Sequence, residues 1–498
     1  MPNMLSQIDY IVIASYLIII SVIGIIAGRK EKNVIDFFLA GRSMHWVMVF
    51  LSIMATEISA ITFIGVPEEG FNNNYVYLQF AIGSLIGRYL IAYILLPGFF
   101  EKEISTIYEY LKNRFGSKSH IFSTCFFFIT RIMASGVRLY AAALALSVAT
   151  GLNLMSTLSI IAIIAVLYTF FGGLKAVMWT DASQIVIFFG GAFIALFYLL
   201  TNIEGGLGGV VNYVAEYQIA TGIDKFQIFD FSFSLNNSHT LLVSIIFGCF
   251  STFAALGVDQ DLAQRLLSCK KMKESQKAII LTGYITFPVV ILFLFLGTCL
   301  FVFFSLNPSI IPPDESTKIF PFFIVNVLPK GLAGLLIAGI LAAAMSSLDS
   351  ALNALASSAI LDIYKPYFRK TASPKELLNV SRLFIIIMAI VLIGFAIACN
   401  GREQILFLGF KLVSFTYGAL LGVFCVGILT KRGSDSGNVL AMLLSVLSVS
   451  SIFIFENRLK TFGVHIGWAW YIVIGTFITF ITGICFNQDP NIAKNNTN

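Results

Sequence analysis

The sequence predicts an all-α integral membrane protein. Of its 498 residues, 58% are hydrophobic and only 12% are charged, whereas a soluble globular protein carries about 25% charged residues. The apolar residues fall in long runs, and these runs do not alternate as the strands of a membrane β-barrel would. Because so little charge is available to cover a water-facing surface, the composition excludes a soluble enzyme, a nucleic-acid-binding protein and a disordered protein.

Thirteen apolar runs are long enough for membrane-spanning helices, since a bilayer core of about 30 Å needs roughly 20 apolar residues. A basic segment does not precede the first run, which predicts a span and not a cleaved signal peptide. Segment 202–237 is predicted to be an extracellular loop with a short helix. The predicted spans are 9–28, 46–66, 75–99, 120–149, 154–173, 178–201, 238–263, 276–305, 320–352, 379–398, 403–430, 437–455 and 464–486.

The basic residues predict the orientation of the chain. Of the 32 Lys and Arg residues, 22 fall in loops on one side of the predicted spans, and five fall on the other side. Since cytoplasmic loops carry an excess of Lys and Arg, we expect the N-terminus outside and the C-terminus in the cytoplasm of a cell membrane. The same excess explains the net charge of +6 without an anionic partner.

The second predicted span contains Glu57, and ionisable residues inside spans are costly and often functional. The hydroxyls of Ser59 and Thr62 follow it, and Gly65 and Pro67 weaken the far end of the run. This pattern predicts either a discontinuous helix whose free carbonyls coordinate Na⁺, or a continuous helix whose hydroxyls bond back to their own turn. The residues alone leave both structures open.

The ninth predicted span carries a polar stripe. Ser346, Asp349, Ser350 and Asn353 follow i, i+3, i+4, i+7 spacing and therefore share one helical face. A seam of small residues between packed helices would explain the serines but not the carboxylate. Because hard oxygen ligands suit a small hard cation, the stripe predicts cation binding.

Three more ionisable residues stand out in or beside the spans. Asp181 opens the sixth span, where spacing alone indicates a charge that balances the helix dipole. Arg131 and Arg138 lie seven residues apart in the fourth span and share a face. They could bind an anionic substrate or pair with a carboxylate such as Glu57, and the sequence leaves both roles open.

Catalytic and metal-site motifs are missing from the sequence. The seven cysteines and four histidines are scattered, and no CxxC occurs, so a disulfide framework, a zinc site and a haem site lack support. No GxSxG, HExxH or Walker A motif is present. We therefore expect that the protein is not an enzyme.

Several ordered motifs occur along the chain: DFFLAGR at 36–42, SAITFIG at 59–65, TIYEYLKNRF at 106–115, YTFFGGLKAVMWTD at 168–181, DQDLAQR at 259–265 and AAAMSSLDSALN at 342–353. Together they resemble the sodium:solute symporter family, and the resemblance runs from about residue 9 to about residue 455. This family includes bacterial sugar, proline, pantothenate and sialic acid transporters and mammalian glucose, iodide and monocarboxylate transporters.

The resemblance implies a fold. It predicts one transmembrane transporter domain over residues 1–498, with the inverted repeat of five plus five helices known from the leucine transporter. The repeats would be 46–201 and 238–430, preceded by one extra helix and followed by two accessory helices in 437–486. The first helix of each repeat would be broken, in the second repeat near 247–257.

The resemblance also implies sodium sites. The conserved site would take backbone carbonyls of Ala55, Ile58 and Ala343 and the hydroxyls of Ser346 and Ser347. Some members have a second cation site nearer the cytoplasm. Here it would consist of Asp181, Ser346, Asp349 and Ser350, and Asp349 stands where those members have Ser. This extra carboxylate could strengthen the site for Na⁺ or couple a proton.

The substrate is the least determined part of the resemblance. Sugar-transporting relatives tend to have Glu-Gln at the position of Ile61-Thr62, which disfavours a simple hexose. Ser59 and Thr62 are similar to the sialic acid branch, which however has an arginine at the position of Ala134. The substrate-binding candidates are Glu57, Ser59, Thr62, Gln79, Arg131, Arg138, Phe253 and Tyr417.

These points together predict a Na⁺-coupled secondary active symporter that imports a small organic anion, such as a sialic acid or a monocarboxylate. A Na⁺-coupled sugar, polyol or amino-acid symporter and a Na⁺-independent facilitator are the alternatives. The expected partners are a small-molecule solute and the lipid bilayer, and we expect the protein to act as a monomer.

Overall fold

A computed structural model of the chain describes residues 5–28, 33–102, 104–234, 237–400, 405–461 and 466–488. The regular structure in these ranges is helical. The helices are α1 (Gln7–Gly28), α2 (Val34–Leu39), α3 (Trp46–Glu57), α4 (Ala60–Asn72), α5 (Gln79–Leu90), α6 (Leu96–Glu101), α7 (Ile107–Arg114), α8 (Ser117–Thr150), α9 (Leu154–Asn202), α10 (Gly206–Thr221), α11 (Leu241–Gly257), α12 (Gln260–Leu267), α13 (Met272–Leu306), α14 (Ile319–Asn326), α15 (Leu332–Ser358), α16 (Pro374–Ala398), α17 (Ile405–Leu429), α18 (Asp435–Ile454), α19 (Glu456–Thr461) and α20 (Trp470–Ile484).

The all-α membrane fold is confirmed. Within the described ranges, nine helical segments are long and apolar enough to cross a membrane, and two bent helix pairs qualify as broken spans. Two shorter apolar helices, Leu154–Leu167 and Trp470–Ile484, accompany them. The count of thirteen spans and their grouping into two repeats remain predictions. Segment 202–237, named the outer segment after its predicted side of the membrane, contains a helix, α10, as expected.

Two predicted boundaries were wrong. The ninth span does not run from 320 to 352, because a turn at Pro329–Gly331 separates α14 from α15. Gly331 has a φ of +89°, which glycine alone adopts at little cost. The fifth and sixth spans are not joined by a loop at 174–177. They meet instead within α9 at Gly173, whose φ of +51° breaks the helix.

Both predicted helix interruptions are present, although the second lies just beyond the expected 247–257, which is helical throughout. α3 and α4 meet at an angle of 56° with Ile58 and Ser59 between them, and α11 and α12 meet at 64° across Val258 and Asp259. At the first bend Ile58 has a ψ of +78° and is not helical. The carbonyl of Ala55 therefore accepts a side-chain hydroxyl in place of a helical amide. A broken helix frees such carbonyls within the bilayer only where protein or a cavity can satisfy them.

α15 forms the centre of the bundle and is buried along nearly its whole length. It packs against α9, α8, α1 and α3. Close helix contacts are made at glycines: a Cβ on Gly297 of α13 would lie 2.1 Å from the Pro67 carbonyl of α4. Small residues of this kind let transmembrane helices approach each other closely. The bend of α3 and α4 is thereby held between α13 on one side and α15 on the other.

Candidate functional site

A cavity of about 1230 Å³, counted with the open space at its mouth, lies beside both helix bends. Its walls come from α3, α4, α5, α8, α11, α12, α13 and α17. Most of the wall surface is apolar, although nearly half of the lining residues have polar or charged side chains. Six substrate-binding candidates line it: Glu57, Ser59, Thr62, Arg131, Arg138 and Tyr417.

Gln79 and Phe253 do not line the cavity, so the structure gives no support to their predicted role. The Gln79 amide nitrogen donates to the carbonyls of Val76 and His239 at 3.1 and 2.8 Å, and its oxygen accepts from the Asp230 amide. Gln79 thus anchors the outer segment to the start of α5. On α11, Thr252 faces the cavity, and the step of about 100° per residue turns Phe253 away.

Glu57 forms an ion pair that the sequence did not predict. Its Oε1 lies 2.5 Å from Nη2 of Arg88 on α5. The remaining Arg88 donors are also used, because Nε donates to Thr282 Oγ1 at 3.0 Å and Nη1 donates to the Ser84 hydroxyl. Arg88 is almost fully buried. Glu57 therefore pairs with Arg88 rather than with Arg131 or Arg138.

Arg131 belongs to a buried ionic cluster at the second helix bend. Its Nη2 lies 2.5 Å from Asp259 Oδ2, and its Nη1 lies 2.8 Å from Asp261 Oδ2. Tyr417 donates its hydroxyl to Asp259 at 2.8 Å. Nε of Arg131 lacks a hydrogen-bond partner among the described residues, but two carboxylates already balance the Arg131 charge. The sequence left open whether Arg131 binds an anionic substrate or pairs with a carboxylate of the chain. In the structure it pairs with Asp259 and Asp261.

Arg138 differs from Arg131 although both lie on the same face of α8. Seven residues correspond to about 10.5 Å along a helix, so Arg138 lies two turns away from the carboxylates that bind Arg131. In the described part of the chain Arg138 makes no ion pair, and its Nη1 is buried without a hydrogen-bond partner. Arg138 is therefore a cavity-lining cation that is available to a ligand.

A second, smaller cavity of about 180 Å³ lies where α3 ends against α15. Ala55, Ile58, Ala343 and Ser346 border it. Ser346 Oγ lies 2.9 Å from the Ala55 carbonyl and 3.2 Å from the Ala343 carbonyl. Ser347 Oγ lies 3.2 Å from the same Ala343 carbonyl. Four of the five predicted ligands of the conserved sodium site thus border this cavity, and Ser347 contacts one of them, the Ala343 carbonyl. All of the predicted ligand oxygens are neutral.

The predicted second cation site contains a guanidinium group of the chain itself. Arg265 Nη2 lies 3.3 Å from Asp181 Oδ2 and also donates to the Ser350 hydroxyl. Its Nε donates to Ser52 Oγ at 2.8 Å, and Ser52 in turn donates to Asp181 at 2.5 Å. Asp349 is fully buried beside Ser350, and its Oδ1 lies 2.5 Å from the Ser350 amide. The Ser346 hydroxyl points away, to the smaller cavity.

Sequence reasoning missed Arg88, Arg265, Asp261 and Ser52. Arg265 follows the predicted span 238–263 and counts among the basic residues of the predicted cytoplasmic loops, but α12 carries it into the bundle, where it is fully buried. Asp261 joins the two ionic groups, because its Oδ1 contacts Arg265 at 2.7 Å while Oδ2 contacts Arg131. The sequence signal that could have indicated this ionic group is the three charged residues within DQDLAQR at 259–265, directly after an apolar run.

A sequence model described as the sodium:solute symporter family matches residues 37–445. The sodium/sialic acid symporter SiaT of Proteus mirabilis is 28% identical to this chain, over 96% of this chain and 94% of that protein. The human sodium-coupled monocarboxylate transporter 1 is also 28% identical, over 87% of this chain and 71% of that protein.

Solved structures show the same similarity. A Na⁺-coupled sialic acid symporter in a substrate-bound, outward-open state has a TM-score of 0.85 and 28% identity, covering 96% of this chain and 97% of that chain. Mhp1, a nucleobase-cation-symport-1 family transporter, superimposes with a TM-score of 0.59 at 15% identity, covering 92% of this chain and 95% of that chain. The similarity to Mhp1 supports the fold alone.

Proposed function

The chain belongs to the sodium:solute symporter family, and on that basis we propose that it imports a small organic anion together with Na⁺ by alternating access. The observation that carries this proposal is Arg138, which lines the large cavity and whose buried Nη1 has no partner among the described residues. An uncompensated guanidinium in the wall of a cavity favours an anionic group and disfavours a neutral sugar.

The coupling ion would bind in the smaller cavity. Carbonyl and hydroxyl oxygens are suitable ligands for a hard monovalent cation, and Ala55, Ile58, Ala343, Ser346 and Ser347 supply them. Na⁺ there would hold the end of α3 against α15 and so fix the bend that lines the substrate cavity. Because coupling free energy is reciprocal, substrate bound in the cavity must raise the affinity for Na⁺ by the same factor.

The remaining features of the proposal come from the sequence. We propose transport and not catalysis as the activity, with the N-terminus outside and the C-terminus in the cytoplasm of a cell membrane. Helices over 46–201 and 238–430 would form the two inverted repeats, with 437–486 as accessory helices, and one chain would suffice for transport. Asp181, Ser350 and Asp349 would bind a further cation only in competition with Arg265.

Thermal stability of the purified protein tests the proposal, because a ligand that binds only the native state stabilises it by RT ln(1 + [L]/Kd). Sialic acids, monocarboxylates, sugars and amino acids should be compared in Na⁺ and in K⁺. We expect a carboxylate to stabilise the protein in Na⁺ and much less in K⁺. Equal stabilisation in both salts would contradict sodium coupling, and a response to neutral sugars alone would contradict an anionic substrate.

Arg138→Gln tests whether the guanidinium of Arg138 binds the anionic group of the substrate. Loss of a buried charge partner costs about 2–5 kcal/mol, so we expect the affinity for the carboxylate to fall about 100-fold while stabilisation by Na⁺ alone persists. Arg138→Lys is the matched variant, because it keeps the charge but not the planar fork, and it should retain part of the affinity. Unchanged affinity in Arg138→Gln would exclude Arg138 from substrate binding.

A further inference from the structure

Glu57 presents one carboxylate oxygen that no described residue uses. Glu57 is the last residue of α3, and its side chain lines the large cavity with 21% of its surface exposed. Oε1 is held by Arg88, whereas Oε2 is buried and has no hydrogen-bond partner in the described ranges. Since buried polar atoms in native proteins are nearly always satisfied, an oxygen in this position indicates that a ligand supplies the donor.

Arg88 prevents Glu57 from acting simply as a negative charge. The guanidinium balances the carboxylate at 2.5 Å and is itself saturated by Thr282, Ser84 and the more distant Thr286 at 3.5 Å. Arg88 is therefore not available to bind an anion. It holds the Glu57 carboxylate in place through Oε1, so that Oε2 is left as an acceptor for a neutral hydroxyl as well as for an ammonium group.

Among the residues that line the cavity, Arg138 thus has an unpartnered donor and Glu57 an unpartnered acceptor, whereas the charge of Arg131 is already balanced by two carboxylates. A single ligand that satisfies both must carry an acid group and a separate hydrogen-bond donor. We propose that the solute is a carboxylate bearing a hydroxyl or amino group, and that Glu57 Oε2 selects it over simple monocarboxylates. This inference rests on the proposed function, because it assumes that the cavity binds an anion.

Glu57 also connects this selection to the sodium site. Its backbone carbonyl accepts from the Ser59 amide at 2.9 Å, and the next residue, Ile58, borders the smaller cavity. A donor that engages the Glu57 side chain therefore acts on the same bend that the coupling Na⁺ would hold. A solute with a donor should consequently respond to Na⁺ more strongly than an acid that lacks one.

The test uses four acids on the purified full-length protein in saturating Na⁺: hexanoate, 6-aminohexanoate, gluconate and N-acetylneuraminate. The first three have six carbons in the main chain and differ in their donors. Sites built to hydrogen-bond a donor reject analogues that lack it by large factors, so we expect at least one donor-bearing acid to bind about 10-fold or more tightly than hexanoate. Kd is measured by calorimetry or by thermal shift.

Glu57→Gln is the decisive variant. The amide oxygen can keep the contact with Arg88, and the free atom then becomes an NH₂ donor, which cannot accept from an ammonium group. Any preference for 6-aminohexanoate over hexanoate should therefore fall to within about 2-fold while stabilisation by Na⁺ persists. Glu68→Gln is the matched control. Glu68 lies on α4, accepts from Ser316 at 2.5 Å and does not line the cavity, so the preference should be unchanged.

The outcomes separate this inference from the proposed function. Hexanoate binding as tightly as the other three acids would overturn the role of Glu57 and leave an anion transporter in place. An undiminished preference in Glu57→Gln would overturn it equally. Failure of all four acids, with binding of a neutral sugar, would overturn the anionic substrate itself. The comparison of acids on the unaltered chain stands even where the variant does not fold.

Discussion

The two cation regions beside α15 contain different oxygens and different charges. The region at Ala55, Ala343, Ser346 and Ser347 offers neutral carbonyls and hydroxyls around a small cavity. The region at Asp181, by contrast, is built from buried carboxylates, and Arg265 already lies among them. Buried carboxylates without a counter-charge are very costly, so the chain supplies a cation there. The region at Ala55, Ala343, Ser346 and Ser347, called the neutral cage below, has no charge that requires such a counter-charge.

This difference indicates in which region the occupancy by Na⁺ would depend on the Na⁺ concentration. A cage of neutral oxygens gains its full electrostatic stabilisation only when a cation arrives. At Asp181, Na⁺ has to compete with a guanidinium that is covalently part of the protein. Asp181 Oδ1 nevertheless has no partner among the described residues, which leaves one oxygen for a weakly bound ion. This comparison supports the proposal that the coupling ion binds in the neutral cage.

Arg265→Ala should have the largest effect. Removal of one member of a buried ion pair costs about 3–5 kcal/mol, because Asp181 and Asp261 lose their counter-charge. We expect the thermal midpoint in K⁺ to fall by several degrees and the rise on adding Na⁺ to exceed that of the unaltered protein. Arg265→Lys should be milder. A Na⁺ response equal to that of the unaltered protein would show that these carboxylates do not attract Na⁺.

Ser347→Ala should have an intermediate effect on the neutral cage. One lost oxygen ligand is worth about 1–1.5 kcal/mol, so the Na⁺ concentration for half-maximal stabilisation should rise about 10-fold. Ser358→Ala is the matched control, since Ser358 is buried on the same helix and its hydroxyl has no partner among the described residues. A sodium dependence that shifts equally in both variants would remove Ser347 from the site.

Titration of Lys225 should have the smallest effect on stability. Lys225 is a third example of a cation among protein oxygens, in this case carbonyls. In the outer segment its Nζ donates to the Phe71 carbonyl and, at 3.1 Å, to the Asn73 carbonyl, so a fixed cation fills a carbonyl cage. Burial lowers the pKa of Lys225 from 10.5 to about 8. Below about pH 8 the buried charge costs stability, and between pH 8 and 10.5 the folded protein loses this proton before the unfolded chain does.

The thermal midpoint of the unaltered protein should therefore rise with pH relative to that of Lys225→Met, by a small amount, between pH 8 and 10. The difference between the two proteins cancels the titration of the other groups. A relative fall over this interval would mean that the charged form of Lys225 is stabilised by folding, and that the cage favours a cation more than burial disfavours it.

Local pattern was sufficient for much of the fold, whereas the ligands of the neutral cage were implied by the family resemblance. Glu57, Gly65 and Pro67 in an apolar run indicated a break as one of two possible structures, and helical spacing placed Ser346 and Ser350 on one face. The ionic partners were not predictable in this way. Spacing shows that Arg131 and Arg138 share a face, but only the fold brings Asp259 and Asp261 to Arg131.

Arg265 is a second residue whose ionic partners could not be predicted from the sequence. Its position after an apolar run, near several lysines, is typical of a cytoplasmic loop. Only the bend between α11 and α12 turns this segment back into the bundle and buries the guanidinium against Asp181. Charge counting locates loops on average, whereas a single buried arginine is decided by tertiary contacts.

Binding of radioactive ²²Na⁺ to the purified protein tests the central claim most directly. Three proteins should be compared: the unaltered chain, the double variant Ser346→Ala with Ser347→Ala, and Asp181→Asn. We expect the double serine variant to lose saturable binding and Asp181→Asn to retain it with similar affinity. Retained binding in the serine variant together with loss in Asp181→Asn would show that the acidic region, and not the neutral cage, holds the coupling ion.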